Sequence, residues 1–266
     1  MGLLEAIILY LVLGAAAGVL AGLFGIGGGL IIVPALVLML ELQGVSGEVT
    51  AHLAVGTSLA SVVFTSLSSV HTHHARGAVR WDLFRPMVLG ILVGAAFGAI
   101  TAGALSGEVL QQVIGLFVVL VAIRMVTGWS PRAGQRRPMR AELGGVGGVI
   151  GWLSAMVGIG GGTLTVPYLT WSGTRMQQAV GTSAACGFPI AVSGALTNSL
   201  VGWGRDGLPA YSAGFIHLPA VLGIVVMSVP CARLGAQLAH RLNELWLKRL
   251  FALVLITVGV RFLVNT

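Results

Sequence analysis

The chain has 266 residues, of which 56% are hydrophobic and only 9% are charged, and its net charge is +7. Soluble domains carry about 25% charged residues, so this composition excludes an ordinary soluble fold and indicates a membrane protein. The basic residues form short loop clusters, which argues against nucleic-acid binding and suits the Lys/Arg bias of cytoplasmic loops in inner-membrane proteins.

Eight apolar segments are long enough, or nearly so, to cross a bilayer as helices. A helical span needs about 20 apolar residues, and none of the segments shows the alternation of a β-barrel strand. The predicted spans are 3–24, 52–70, 84–105, 109–126, 143–157, 177–200, 212–234 and 245–264. Glu5 stands where a signal peptide would carry basic residues, so we interpret the first segment as a retained span. The predicted fold class is an all-α polytopic membrane protein.

One glycine-rich stretch occurs twice. Gly18–Pro34 and Gly151–Pro167 agree at nine of 17 positions, including all of GIGGG and a Val-Pro pair. The pentapeptide AVGTS also occurs twice, and PMVLGI in the first half corresponds to PAVLGI in the second. These landmarks follow the same order in both halves. They predict two homologous transmembrane repeats, residues 1–127 and 143–266, joined by a basic cytoplasmic linker at 128–142.

The Lys and Arg positions favour an inverted arrangement of the repeats. If GIGGG is the turn of a hairpin, each half adds three full spans, and repeats with an odd number of crossings are inverted. The cationic residues then divide 13 inside to 2 outside, whereas four full crossings per half would give 10 to 5. Because cytoplasmic loops are enriched in Lys and Arg, the hairpin arrangement is preferred. It places both termini outside the cell and the linker inside.

The consecutive glycines predict a broken helix. Each glycine inside a helix costs about 1 kcal/mol relative to alanine, and the prolines at 34 and 167 suit the first turns of a new short helix. Broken backbone at membrane depth is tolerated only where it is buried in protein or lines a cavity. The free N–H groups and the helix dipole would attract an anion. Close helix packing by glycine is the alternative interpretation.

Hydroxyl and polar residues near the breaks complete the candidate site. The Thr-Ser pairs of AVGTS supply donors, although each hydroxyl could instead bond to its own helix. His73 and Asn198 coincide when the AVGTS motifs are superposed, and we expect them to line the pathway, with a solvated basic loop as the alternative for His73. The candidate substrate-binding residues are Gly25, Gly27, Gly28, Gly29, Leu30, Thr57, Ser58, Gly158, Gly160, Gly161, Gly162, Thr163, Thr182, Ser183, His73 and Asn198.

The acidic residues also favour an anionic substrate. All eight lie in loops or at span ends, whereas carriers of cations and protons commonly use a carboxylate within a span. No motif for a catalytic centre, a metal or a cofactor is evident, so we expect none of them. An enzyme would need a nucleophile with a base, and His217 and Cys231 lack such partners in the sequence. The expected partners are a small anion and the lipid bilayer, and a homo-oligomer is possible.

Two copies of GIGGG with a following Val-Pro pair, each succeeded by VGTS, resemble the TauE/SafE family of membrane transporters. That family includes sulfite exporters and organosulfonate carriers, and the resemblance covers essentially the whole chain. It implies transport of small sulfur-containing anions, such as sulfite or sulfoacetate. We expect this transport to proceed by alternating access across the bacterial inner membrane. The residues themselves support only a small anion. A passive anion channel and a non-transporting subunit, whose glycines only pack helices, are the alternatives.

Overall fold

The computed structural model describes residues 3–24, 28–127, 138–239 and 244–264. Within these ranges the chain forms ten α-helices and no β-strand. The helices are α1 (Leu3–Phe24), α2 (Gly29–Leu42), α3 (Gly47–Ala75), α4 (Trp81–Ala104), α5 (Gly107–Thr127), α6 (Arg140–Val157), α7 (Gly162–Trp171), α8 (Met176–Val201), α9 (Leu218–Ala239) and α10 (Glu244–Val264).

The helices cover the predicted spans, with one correction. The predicted span 212–234 begins too early, because α9 begins at Leu218. The preceding residues turn back on themselves: the Ala213 N–H donates to the Ile216 carbonyl at 2.8 Å, and Gly214 has φ +59°. A left-handed backbone angle of this kind interrupts a helix whatever the hydropathy of its neighbours. The apolar segment therefore begins before α9, the helix that it predicted.

Each GIGGG motif is followed by a short helix that runs back along the helix before it. In the first half, the Gln43 amide beyond the end of α2 donates to the Tyr10 hydroxyl in α1 at 3.0 Å. In the second half, the Tyr168 hydroxyl in α7 lies 3.5 Å from a Glu142 carboxylate oxygen at the start of α6. Both short helices thus form hairpins with their predecessors.

The long helices pair across the two halves of the sequence. Helix α4 runs parallel to α6, where Gly94 contacts the Gly148 carbonyl and a Cβ at Gly147 would lie 2.6 Å from the Met87 carbonyl. Helix α1 packs along α9 in the same way, and a Cβ at Gly14 would lie 2.5 Å from the Ile224 carbonyl. Glycine permits these close approaches because it has no Cβ to separate the backbones.

Helices α3 and α8 cross the centre of the molecule in antiparallel orientation. Leu59 packs against Gly194, and Ser66 packs near Gly187, so the sequence numbers rise along one helix as they fall along the other. Helices α5 and α10 pack together at one side through Gly115 and Gly259.

The outer surface of the helices is apolar. On α4, Leu89, Val93, Phe97 and Ile100 follow one face and are exposed, opposite the glycine face that packs on α6. Among the described helices, α3, α4, α5 and α8 have the length and hydropathy required to cross a membrane, and four further stretches of 10–17 residues are apolar but shorter. Lipid tails would cover such a surface in a bilayer.

Candidate functional site

The second glycine break, residues 158–161, needs glycine at two positions for its backbone shape. Gly158 has φ +78° and closes α6, with the Ile159 N–H donating to the Ser154 carbonyl at 2.8 Å. Gly161 has φ +74° and precedes α7. Left-handed angles of this kind are costly for residues that carry a Cβ. Gly158 and Gly161, the first and third glycines of this GIGGG, are therefore required by conformation, and the whole break is buried.

The first break differs from the second in the backbone conformation of Gly28, which matches Gly161. Gly25 and Gly27 of the predicted site lie outside the described residues. Gly28 has a helical φ of −67°, and its carbonyl accepts the N–H groups of Ile31 and Ile32 at 3.1 and 3.0 Å. Gly28 thus begins α2 with an ordinary backbone conformation that any residue can adopt.

The structure brings the start of α2 against the second break. A Cβ at Gly29, which begins α2, would lie 2.8 Å from the Gly158 carbonyl and 3.0 Å from the Ile159 Cα. The buried Ser58 hydroxyl of α3 donates to the same Gly158 carbonyl at 2.8 Å. From α8, a Cβ at Gly187 would lie 2.7 Å from the Gly160 carbonyl. The glycines therefore also serve close packing, and the second break lies between α2, α3 and α8.

Three buried hydroxyl groups at the second break have no hydrogen-bond partner: those of Ser154, Thr163 and Thr165. The Thr165 Oγ1 and Ser154 Oγ atoms lie 3.5 and 3.9 Å from the position that a Gly161 Cβ would occupy. An unsatisfied buried hydroxyl costs about 1–3 kcal/mol, so three in one place need an explanation.

Other hydroxyl groups in these helices donate hydrogen bonds to backbone carbonyls of the preceding turn. Thr50, Ser61, Thr101 and Thr170 each donate to the carbonyl four residues earlier, at 2.7–2.9 Å. Serine and threonine side chains in membrane helices commonly form this hydrogen bond. The three hydroxyls at the break depart from the pattern found elsewhere in the same molecule.

The backbone at the break adds further donors. After Ile159, the next N–H groups with a carbonyl acceptor in the described part of the chain are those of Leu164 and Thr165, both bonded to Gly161. The first N–H groups of any helix lack partners within it, and they carry the positive end of the helix dipole. Donors from the backbone and from side chains therefore converge at the start of α7.

Arg124 of α5 places a positive charge beside this helix start. Its guanidinium Nη1 donates to the Thr163 carbonyl at 3.1 Å. Within a helix, that carbonyl would accept the N–H of the residue four positions later, but Pro167 has none. The proline therefore frees a carbonyl in the first turn of α7, and Arg124 from the other half of the chain occupies it.

The threonines of the AVGTS motifs are buried, and both have protein partners. Thr57 Oγ1 accepts the N–H of His217, the residue before α9, at 2.9 Å. Thr182 Oγ1 accepts the N–H of Arg80, the residue before α4, also at 2.9 Å. We call these two contacts the threonine clamps.

The adjacent glycines of the two motifs make room for the same segments. Gly56 contacts the Phe215 carbonyl, and a Cβ at Gly181 would lie 2.7 Å from the Ala78 carbonyl. In each half, the residue that packs on the glycine lies two positions before the residue whose N–H donates to the threonine. The Gly-Thr pair of AVGTS is a docking site for the segment that leads into α9 or α4.

His73 and Asn198 lie away from the glycine break. Asn198 is 11 residues from Gly187 along α8, which corresponds to about 16 Å of helix rise. Its amide donates to the Gly194 carbonyl at 2.9 Å, and its Oδ1 has no partner. His73 lies near the opposite end of the molecule, in the last turn of α3. Ser183 is buried in α8, and its counterpart Ser58 is the serine that reaches the break.

Comparison with known proteins agrees with this architecture. A family model described as "Sulfite exporter TauE/SafE" matches residues 10–262. The chain belongs to the TauE/SafE family. It is similar to a "Probable membrane transporter protein" of Haemophilus influenzae, with 39% identity over 257 residues that cover 96% of this chain and 97% of that protein. The "Probable membrane transporter protein MJ0441" of Methanocaldococcus jannaschii is 27% identical over 95% of this chain and 93% of its own length. The TauE/SafE chain is accordingly a multi-pass membrane transporter.

Three polar residues of this TauE/SafE transporter join the candidate site only when the structure is considered: Ser154, Thr165 and Arg124. A signal for the first two is present in the repeat alignment, which pairs Ser154 with Ala21 and Thr165 with Ile32. A polar residue against an apolar one at matching positions marks a difference between the halves. For Arg124, the signal is Pro167, whose missing N–H leaves a carbonyl to be satisfied from elsewhere.

Proposed function

We propose that this transporter carries small sulfur-containing anions, such as sulfite and sulfonates, and binds them where the two glycine breaks meet. The observation that carries the proposal is the group of unpartnered hydroxyls around the second break, one near the end of α6 and two at the start of α7. Ser154, Thr163 and Thr165 are each more than nine-tenths buried and have no hydrogen-bond partner. A bound oxyanion would accept these hydroxyls and the adjacent N–H groups together.

The charge at the site favours an anion over a cation. The start of α7 presents the positive end of a helix dipole, and the Arg124 guanidinium lies one hydrogen bond away, on the Thr163 carbonyl. The positive charge and the donors would stabilise a guest with several accepting oxygens. Sulfite and sulfonate groups each offer three such oxygens on one small centre. The family description supports this substrate class.

We infer further that the two repeats are inverted relative to each other in the membrane. The contacts of Tyr10 with Gln43 and of Tyr168 with Glu142 support hairpins that do not cross the membrane, and α3–α5 and α8–α10 would then supply three crossings in each half. An odd number of crossings reverses the second repeat. The antiparallel packing of α3 on α8 supports the same conclusion, because these are matching helices of the two halves.

Alternating access would follow from the two threonine clamps. One clamp joins α3 to the segment before α9, and the other joins α8 to the segment before α4. Because α3 and α8 are antiparallel, the clamps lie at different heights: Thr57 is level with Gly158, which packs on Val55, and Thr182 lies beyond Gly187, toward the start of α8. Release of one clamp at a time would open the site to one side of the membrane.

We place the transporter in the bacterial inner membrane, with the linker 128–142 in the cytoplasm. Most of the cationic residues would then face the cytoplasm, as the Lys/Arg bias requires.

The function is tested with purified protein and a panel of anions. Sulfite, sulfate, sulfoacetate, taurine and acetate are titrated in a thermal-unfolding assay, because a ligand that binds only the folded form raises its stability. We expect sulfite or sulfoacetate to stabilise the protein and acetate to have no effect. Flux into proteoliposomes then separates the alternatives: accumulation against a gradient excludes a passive channel, and absence of any flux favours a packing subunit.

A further inference from the structure

The two GIGGG motifs are nearly identical in sequence, but the residues around them differ in one chemical respect. The second break is lined by the hydroxyls of Ser154, Thr163 and Thr165, and the matching positions of the first repeat are Ala21, Leu30 and Ile32. All three hydroxyl groups of the second repeat are thus replaced by hydrocarbon in the first. Leu30 and Ile32 belong to the apolar core of the molecule.

The packing contacts reflect this difference. A Cβ at Gly161 would lie 3.5 Å from the Thr165 hydroxyl, whereas a Cβ at the matching Gly28 would lie 3.2 Å from the terminal methyl of Ile32. At this matching position, the second repeat therefore carries a hydrogen-bond donor and the first repeat carries a methyl group. The backbone differs too, since Gly161 is left-handed and Gly28 is helical.

The two arginines near the ends of the repeats, Arg124 and Arg261, also differ in the groups that they contact. Arg124 at the end of α5 donates to the first turn of α7. Arg261 at the end of α10 instead forms an ion pair with Glu41, near the end of α2, at 3.1 Å. The Arg124 guanidinium thus lies at the hydroxyl-lined helix start, whereas the Arg261 guanidinium lies near the end of α2.

We propose that the anion site is one-sided: the hydroxyls of Ser154 near the end of α6 and of Thr163 and Thr165 at the start of α7 bind the substrate's oxygens, and the start of α2 is a packing surface that closes over them. The proposal rests on the proposed function and assigns its ligands to one repeat. It adds Ser154 and Thr165 to the binding residues. It is also consistent with the close approach of Gly29 to Gly158, which places the apolar start of α2 directly against the second break.

The decisive variants are Thr165→Val and Ile32→Val, which create the same residue at matching positions of the two repeats. Affinity for sulfite and for sulfoacetate is measured by titration, with the salts supplied as choline salts. A hydrogen bond to a charged group contributes about 1.5–3 kcal/mol, so Thr165→Val should weaken binding roughly 10-fold or more, and Ile32→Val should change it less than about 2-fold. Thr170→Val is the control within α7, because that hydroxyl already bonds to the Val166 carbonyl.

The stability of the ligand-free protein provides a second readout. Thr165→Val removes a buried hydroxyl that has no partner, so the melting temperature without anion should stay the same or rise while affinity falls. A structural hydroxyl would instead lower the melting temperature when removed. The combination of lost affinity with preserved stability identifies a ligand contact.

Each other outcome overturns a defined statement. Equal losses of affinity for Thr165→Val and Ile32→Val would overturn the one-sided site but leave the anion transporter intact. Unchanged affinity in Thr165→Val and in the triple variant S154A/T163V/T165V would also overturn it. Stabilisation by sodium chloride but not by choline chloride or choline sulfite would overturn the anion site and indicate a cation site instead. A wild-type protein that no anion of the panel stabilises would refute the proposed function itself.

Discussion

At the scale of single residues, matching glycines of the two GIGGG motifs have different structural roles. Gly161 occupies a left-handed position that a Cβ strains, and a side chain there would meet the Ile190 terminal methyl at 2.5 Å. Gly28 has a helical backbone, and its added Cβ would meet only the flexible end of Ile32 at 3.2 Å. Sequence identity between the repeats therefore does not imply equal tolerance to substitution.

We expect Gly161→Ala to destabilise the protein and to abolish anion binding, because alanine in a left-handed conformation costs about 1–2 kcal/mol before any steric clash. Gly28→Ala should leave stability within about 0.5 kcal/mol of wild type. Thermal unfolding and sulfite titration of the two purified variants provide the test. Similar behaviour of both variants would show that the difference in backbone conformation has no consequence.

Arg124 combines a structural contact with a charge, and the two roles can be separated. Arg124→Leu should weaken anion binding roughly 10-fold and also leave the Thr163 carbonyl without a donor. Pro167→Ala would restore a backbone N–H to that carbonyl. We therefore expect the double variant R124L/P167A to regain the melting temperature of wild type but not its sulfite affinity. Full recovery of affinity would mean that Arg124 only satisfies the carbonyl.

At the scale of elements, the Gly-Thr pairs of AVGTS join each central helix to a segment of the other half. Thr57 and Thr182 accept N–H groups of the residues that precede α9 and α4, and Gly56 and Gly181 make room for the segment just before. The two contacts have the same geometry in both repeats. The recurrence of AVGTS therefore has a structural explanation that does not require a ligand.

Thr57→Val should destabilise the protein by about 1–3 kcal/mol, because the buried N–H of His217 would lose its acceptor. Thr182→Val should cost less, since Arg80 is only half-buried and water can reach its N–H. Serine at either position keeps the hydroxyl and serves as the control. Melting temperatures of the four variants give the comparison, and a Thr57→Ser variant as unstable as Thr57→Val would contradict the role of the hydroxyl.

The helices themselves were largely predictable from the sequence, and the contacts of the site were not. Hydropathy located α1 to its residue bounds and the other long helices with end errors of up to about six residues, and the consecutive glycines predicted the breaks. It did not predict the turn at 212–217, because Phe215 and Ile216 are apolar and buried although they are not helical. Contacts such as Arg124 with Thr163 join residues 39 positions apart, which no local pattern reports.

At the scale of the whole molecule, the two halves exchange their helix partners. Helix α1 packs on α9 and α6 packs on α4, so each hairpin lies against a helix of the other repeat. Arg124 and the threonine clamps make further contacts in both directions. Because the candidate site is built between the halves, a movement of one repeat relative to the other would reshape it. This is the arrangement that alternating access requires.

The arrangement also predicts which loops share a side of the membrane. Contacts place the start of α4 beside the start of α8 through Arg80 and Thr182, and the end of α4 beside the end of α8 through Gly103 and Val201. Residues 76 and 175 should therefore face one side, and residues 106 and 206 the other. If each half crossed the membrane four times, residues 76 and 175 would instead lie on opposite sides.

Single cysteines at these four exposed positions test the prediction in a background without Cys186 and Cys231, which are buried and free. We expect a membrane-impermeant maleimide added to intact cells to label S106C and D206C, and to label R76C and R175C only after the membrane is opened. The Lys/Arg bias predicts this direction, because Arg76, Arg175 and the linker would then be cytoplasmic. A cysteine at buried Ala54 is the control that stays unlabelled until the protein is denatured. Labelling of R76C and R175C from opposite sides would refute the inverted repeats, and with them the site shared between the two halves.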